Sequence, residues 1–99
     1  MASSNTDPII QNHRAQIAVI DGEILAALNW RIKLVKSLKE YKETHGIEFH
    51  DPAQEDVVIA NLCQANRGPL SNEGIREIFS VILERLKSEA AGLGETKHE

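Results

Sequence analysis

This sequence predicts an all-α fold of three helices, the first far longer than the other two. Three observations carry that reading. From Ile10 to Thr44 there is no proline and a single glycine, Gly22, while apolar residues recur at steps of three and four. Two later segments each open on a helix-capping signal and carry an apolar stripe of the same period. No stretch alternates apolar and polar residues as a half-buried strand does, and no internal repeat is present.

Residues 1–9 are mostly small or polar, include Pro8 and read as a disordered lead-in. A helical domain over 10–90 follows, and residues 91–99 read as a flexible tail. The first helix places Ile17, Ile20, Ile24, Leu28, Val35 and Leu38 on one stripe. At 1.5 Å per residue it is roughly 45–50 Å long. His45-Gly46 ends it, with Gly46 as a left-handed cap. Asp51-Pro52 then reads as an N-cap followed by proline at the first helical position, and Gln54 completes a capping box. The second helix carries Glu55, Val58, Ile59, Leu62 and Cys63 on one side and ends near Asn66. Arg67-Gly68-Pro69 is a turn. Ser71 or Asn72 caps the third helix, whose stripe is Ile75, Ile78, Phe79, Ile82 and Leu86.

Two short helices cannot cover a first helix of that length. A second chain is expected to cover the remaining stripe, through a two-fold antiparallel homodimer.

Composition bounds the function. The chain has 99 residues, enough for one domain. Lys and Arg total 11 against 15 Asp and Glu, a net charge of −4, so the basic footprint of a nucleic-acid binder is absent. One cysteine, Cys63, excludes an internal disulfide framework and a cysteine-rich zinc site. His13, His45, His50 and His98 lack metal-ligand spacing, so no metal is expected. No apolar run reaches the ~18 residues of a membrane span. The first residues lack the charged start and apolar centre of a secretion signal, and a cytoplasmic location is expected.

The anomaly lies on the first helix, where cations interrupt the apolar stripe. Forwards the stripe reads Leu28, Arg31, Val35, Leu38, Lys42; backwards it passes from Ile17 to Arg14. Each of these cations taken alone fits snorkelling at a dimer edge. Together they suggest a grip on a small dianion. Arg31 and Lys42 are roughly 16 Å apart along the helix and offset by only about 20°. Arg14 is roughly 42 Å from Lys42 and cannot join them within one chain. In an antiparallel dimer it can, with the two-fold axis near Leu25. Arginine suits carboxylates because its planar fork binds both oxygens. At the start of the second helix, Asp51 and Glu55 are one turn apart. Glu55 either favours the positive helix end or accepts a hydrogen bond from a substrate hydroxyl.

Other residues carry plainer readings. Trp30 and Tyr41 are packing or interface residues, and Cys63 reads as a buried small apolar residue rather than a nucleophile. Lys33, Lys36 and Lys39 belong to a solvated face of a basic stretch that also attracts anions.

From Arg14 to Leu86 the ordered set of residues resembles the all-α (AroQ-type) chorismate mutases. Arg14-x-x-Ile17-x-x-Ile20-Asp21-x-x-Ile24-Leu25 resembles the family's opening, with His13 where a leucine is usual. Leu28-x-x-Arg31, Lys39-x-x-Lys42, Asp51-Pro52-x-x-Glu55, Gly68-Pro69-Leu70 and Ile75-x-x-Ile78-Phe79 follow in the family's order.

The resemblance implies an intertwined dimer that converts chorismate to prephenate, a Claisen rearrangement needing no cofactor. It implies that Arg14 of the partner chain and Arg31 bind the two substrate carboxylates. Lys42 then contacts the ether oxygen and a carboxylate, while Asp51 and Glu55 hold the ring hydroxyl. Two positions depart from the pattern. Gln54 stands where the family has an arginine beside the substrate, and Leu86 and Ala90 stand where it has a small residue and a glutamine. That glutamine would share the ether oxygen with Lys42, so restoring it at position 90 is expected to raise activity. Glu89, next door, is a substitute if protonated. Three alternatives remain open: an isochorismate–pyruvate lyase, an aminodeoxychorismate mutase, or a weakly active or non-catalytic helical dimer that docks on another aromatic-pathway enzyme.

Overall fold

The computed structural model describes residues 6–93, which form three α-helices and no strand: α1 (Pro8–Thr44), α2 (Pro52–Ala65) and α3 (Asn72–Leu93). The chain divides into two compact units, Met1–Arg31 and Ile32–Glu99. Residues 1–5 of the expected lead-in and 94–99 of the expected tail lie outside the described residues.

Unit 1 is the opening part of α1. The helix starts at Pro8, two residues ahead of the expected Ile10. The reason is local: Asp7 caps it, its carboxylate accepting from Ile9 N at 2.7 Å and its carbonyl from Gln11 N at 2.9 Å. Pro8 at the first helical position lacks only a donor that would have gone unpaired there. It is the same Asp-Pro signal that opens α2. A lone helical stretch has nothing to bury its apolar residues against. Ile17, Ile20, Ile24, Leu25 and Trp30 accordingly all stay exposed, and Leu28 is half-buried.

Unit 2 holds the rest of α1 together with α2 and α3, and α2 packs on α3. Gly46 caps α1 as the sequence predicts, with φ of 66°. Ile47 N donates to Lys42 O at 2.8 Å and Gly46 N to Glu43 O at 3.3 Å, satisfying carbonyls of the last turn. Asp51 caps α2, accepting from Gln54 N through its side chain at 3.3 Å. Between α2 and α3, Asn66 ties the turn together. Its amide donates to Leu70 O and Asn72 Oδ1, and its carbonyl oxygen accepts from Gly68 N. Ser71 is the cap of α3, its hydroxyl accepting from Gly74 N at 2.9 Å.

The buried side chains of the described residues are all on α3: Ile75, Leu83, Leu86 and Ala90. The expected stripe is therefore rotated. Ile75 and Leu86 are buried and Phe79 and Ile82 half-buried, but Ile78 is exposed. Ile78 stands roughly 100° round the helix from the centre of the buried set at 3.6 residues per turn. Leu83 and Ala90 fall inside that set. The helix also continues through 91–93, where a fraying tail was expected, and α2 ends at Ala65 with Asn66 as its C-cap.

Candidate functional site

Of the expected site residues, unit 1 carries Arg14, exposed, and Arg31, half-buried. Unit 2 carries Lys42, Asp51, Gln54 and Glu55.

Lys42 sits in the last turn of α1, where a cation complements the negative helix end. It is half-buried, with its ammonium 6.0 Å from the centre of the Phe49 ring. Among the described residues neither Lys42 nor Arg31 has a carboxylate partner. Their neighbours on the basic stretch behave differently. Lys36 pairs with Glu40, and Lys39 with Glu43 at 2.7 Å, each one turn on along α1. Of the expected solvated face, Lys33 is exposed while Lys36 and Lys39 are half-buried, and the stretch has two acidic partners, Glu40 and Glu43.

Asp51 and Gln54 are joined by the cap hydrogen bond, and both side chains are exposed. Glu55, in the first turn of α2, is half-buried and accepts at Oε2 from Lys87 Nζ of α3 at 2.7 Å. Lys87 also lies 3.3 Å from His50 Nδ1. An ammonium only donates, so His50 Nδ1 is the acceptor side of this contact. A pair this exposed contributes at most about 1 kcal/mol to stability. Its consequence is orientation of the Glu55 carboxylate.

Lys87 escaped the reading of the sequence. Its signal is nonetheless there: it stands one turn after Leu83 and next to Leu86, a cation at the edge of an apolar stripe, as Arg31 and Lys42 are on α1. Glu89 is not the substitute that its position beside Ala90 suggests. It turns outward and pairs with Arg85 at 2.7 Å on an exposed face. Ala90 itself is only 1% exposed, so the position where the resemblance expects a glutamine is packed shut within this chain.

Two open grooves on unit 2 contain none of the expected residues. One of about 530 Å³ is lined by Ser80, Val81, Glu84, Arg85 and Ser88. One of about 310 Å³ is lined by Asp56, Ile59, Ala60, Arg76 and Ser80. Among the described residues, no group of three His, Cys, Asp or Glu side chains is placed to hold a metal. Nor is any described helix long and apolar enough to cross a membrane.

Residues 13–91 match the family described as chorismate mutase type II. The chain belongs to that family. The match spans the cations of α1, the acidic start of α2 and nearly all of α3. A bifunctional chorismate mutase/prephenate dehydratase of Neisseria gonorrhoeae is 31% identical over 81 residues. Those residues are 82% of this chain and 22% of that protein, so the chain spans about a fifth of the length of this curated relative. Two solved structures of a chorismate mutase from Thermus thermophilus share the fold. Form I has a TM-score of 0.76 at 31% identity, covering 78% of this chain and 96% of that one. Form II has a TM-score of 0.76 at 29% identity, covering 91% and 98%. Type II chorismate mutases isomerise chorismate to prephenate, and the all-α reading of the sequence agrees with these neighbours.

Proposed function

We propose that this chain converts chorismate to prephenate as an antiparallel homodimer with two shared sites, in the cytoplasm. The observation that carries the reading is the family match over 13–91, and the order of Arg14, Arg31, Lys42, Asp51 and Glu55 along the sequence, which resembles the family's pattern, supports it.

Arg14 of one chain and Arg31 of the other bind the two carboxylates of the substrate. This holds a flexible molecule in its compact reactive conformer. Breaking the C–O bond places negative charge on the ether oxygen. Lys42 stabilises that charge, and the stabilisation is greatest in the transition state. Glu55 accepts a hydrogen bond from the ring hydroxyl, and Asp51 with Gln54 closes that end of the site. The chemistry occurs within one molecule, so it needs no nucleophile, metal or cofactor from the protein. Dimerisation is supported by the exposed apolar residues of unit 1, which gain cover from a second copy.

Steady-state loss of chorismate absorbance, with the product identified by mass, tests the activity. Prephenate supports it. Pyruvate release from isochorismate, or turnover of aminodeoxychorismate in preference to chorismate, assigns the chain to a sister reaction on the same scaffold. The observations favouring a non-catalytic module docked on another aromatic-pathway enzyme are Gln54 and the buried Ala90, and absence of any turnover supports that reading. Light scattering at micromolar concentration tests the dimer; a fully helical monomer rejects it.

A further inference from the structure

The ion pair between Glu55 and Lys87 is unlike the others among the described residues. Lys36–Glu40, Lys39–Glu43 and Arg85–Glu89 each join residues one turn apart on a single helix. Lys87–Glu55 links α3 to the first turn of α2, and His50 brings in the segment before α2. Lys87 and Glu55 are 29% and 37% exposed, so the contact is partly shielded from water. Among the described residues the carboxylate is engaged only through Oε2, which leaves Oε1 to accept from a ligand.

We infer that Lys87 is a positioning residue that makes this site prefer a hydroxyl over an amine on the substrate ring. The inference rests on the reading of Glu55 as the acceptor for the ring substituent. An unpaired carboxylate attracts an ammonium more strongly than it attracts a neutral hydroxyl. With Lys87 at 2.7 Å, the charge of Glu55 is already compensated. An ammonium group arriving at Oε1 then meets a second cation close by, whereas a hydroxyl donates its hydrogen bond without that repulsion. The salt bridge also fixes which oxygen faces the ligand, so the hydroxyl meets an oriented acceptor.

The test compares chorismate with aminodeoxychorismate, which carries an amine in place of the ring hydroxyl, on the full chain and on three variants. Lys87→Met should lower kcat/KM for chorismate about tenfold, chiefly through KM, the value of roughly one charge-assisted hydrogen bond. It should shift the chorismate-to-amine ratio of kcat/KM towards the amine by a similar factor. Lys87→Arg should restore the parent ratio, because it returns the charge. Glu55→Gln is the control for the underlying reading and should impair chorismate turnover by itself. If Glu55→Gln changes nothing, the role of Glu55 is wrong and the inference falls with it. If Glu55→Gln impairs turnover but Lys87→Met leaves the substrate ratio unchanged, the role of Lys87 alone is overturned. Thermal melts of Lys87→Met accompany the kinetics, and lost stability with an unchanged ratio makes the salt bridge merely structural. A parent chain that turns over neither substrate overturns both readings.

Discussion

Position 90 is where the resemblance and the packing make opposite predictions. The resemblance puts the family's glutamine there, and Ala90→Gln is expected on that basis to add a second donor to the ether oxygen. In the structure Ala90 is 1% exposed, and Leu86, one turn earlier, is 6% exposed. A longer amide must force its way into a packed position, which costs about 1–3 kcal/mol. An amide left there without partners costs roughly another 1–3 kcal/mol. Ordering the longer side chain adds up to about 2 kcal/mol. With partial relaxation the sum is roughly 3–5 kcal/mol, a large part of the ~5–15 kcal/mol that holds a domain folded. At about 4–8 °C per kcal/mol for a domain of this size, the melting midpoint should fall by more than about 12 °C. Leu86→Ser removes bulk one turn away on the same face, so the two changes should couple. The double variant should lose less than the sum of the singles, by about 0.5–3 kcal/mol. Far-UV circular dichroism melts read this out, at one fixed protein concentration because an oligomer's midpoint depends on it. An Ala90→Gln protein that melts within about 2 °C of the parent and turns chorismate over faster would refute the packing argument. Position 90 would then open onto the substrate.

Three further outcomes follow from the site. Arg14→Ala and Arg31→Ala should each be inactive alone, and mixing them should restore activity once subunits exchange, since each hybrid dimer keeps one intact site; exchange without recovery rejects the shared site. Lys42→Ala should lower kcat by ~10²–10³ with little change in KM, because the charge that it meets develops only in the transition state; a folded, dimeric variant with normal turnover removes Lys42 from the mechanism. Asp51→Ala should cost about 1 kcal/mol of stability through the lost cap, while Asp51→Asn keeps the melting midpoint. Equal melts for all three Asp51 proteins would show that the cap contributes nothing.

How far the sequence reached depended on the range of the interaction involved. The caps at Asp51, Ser71 and Gly46 follow from side chains and backbone within a few residues, and each stands where its residue type predicts. The start of α1 at Pro8 departs from the expected Ile10, although Asp7-Pro8 carries the same local signal as Asp51-Pro52. The ordered cations and carboxylates carried the family without any contact being known, because their identities and spacings are themselves the sequence. Which face of α3 is buried was beyond local reading. Ile78 and Leu83 are equally apolar, yet Leu83 is buried and Ile78 exposed. The pairing of Glu55 with Lys87 joins positions distant in sequence, so no periodicity along either helix announces it. The burial of Ala90 has the same origin: alanine is compatible with an open wall or a packed one, and only the surrounding chain decides which it lines.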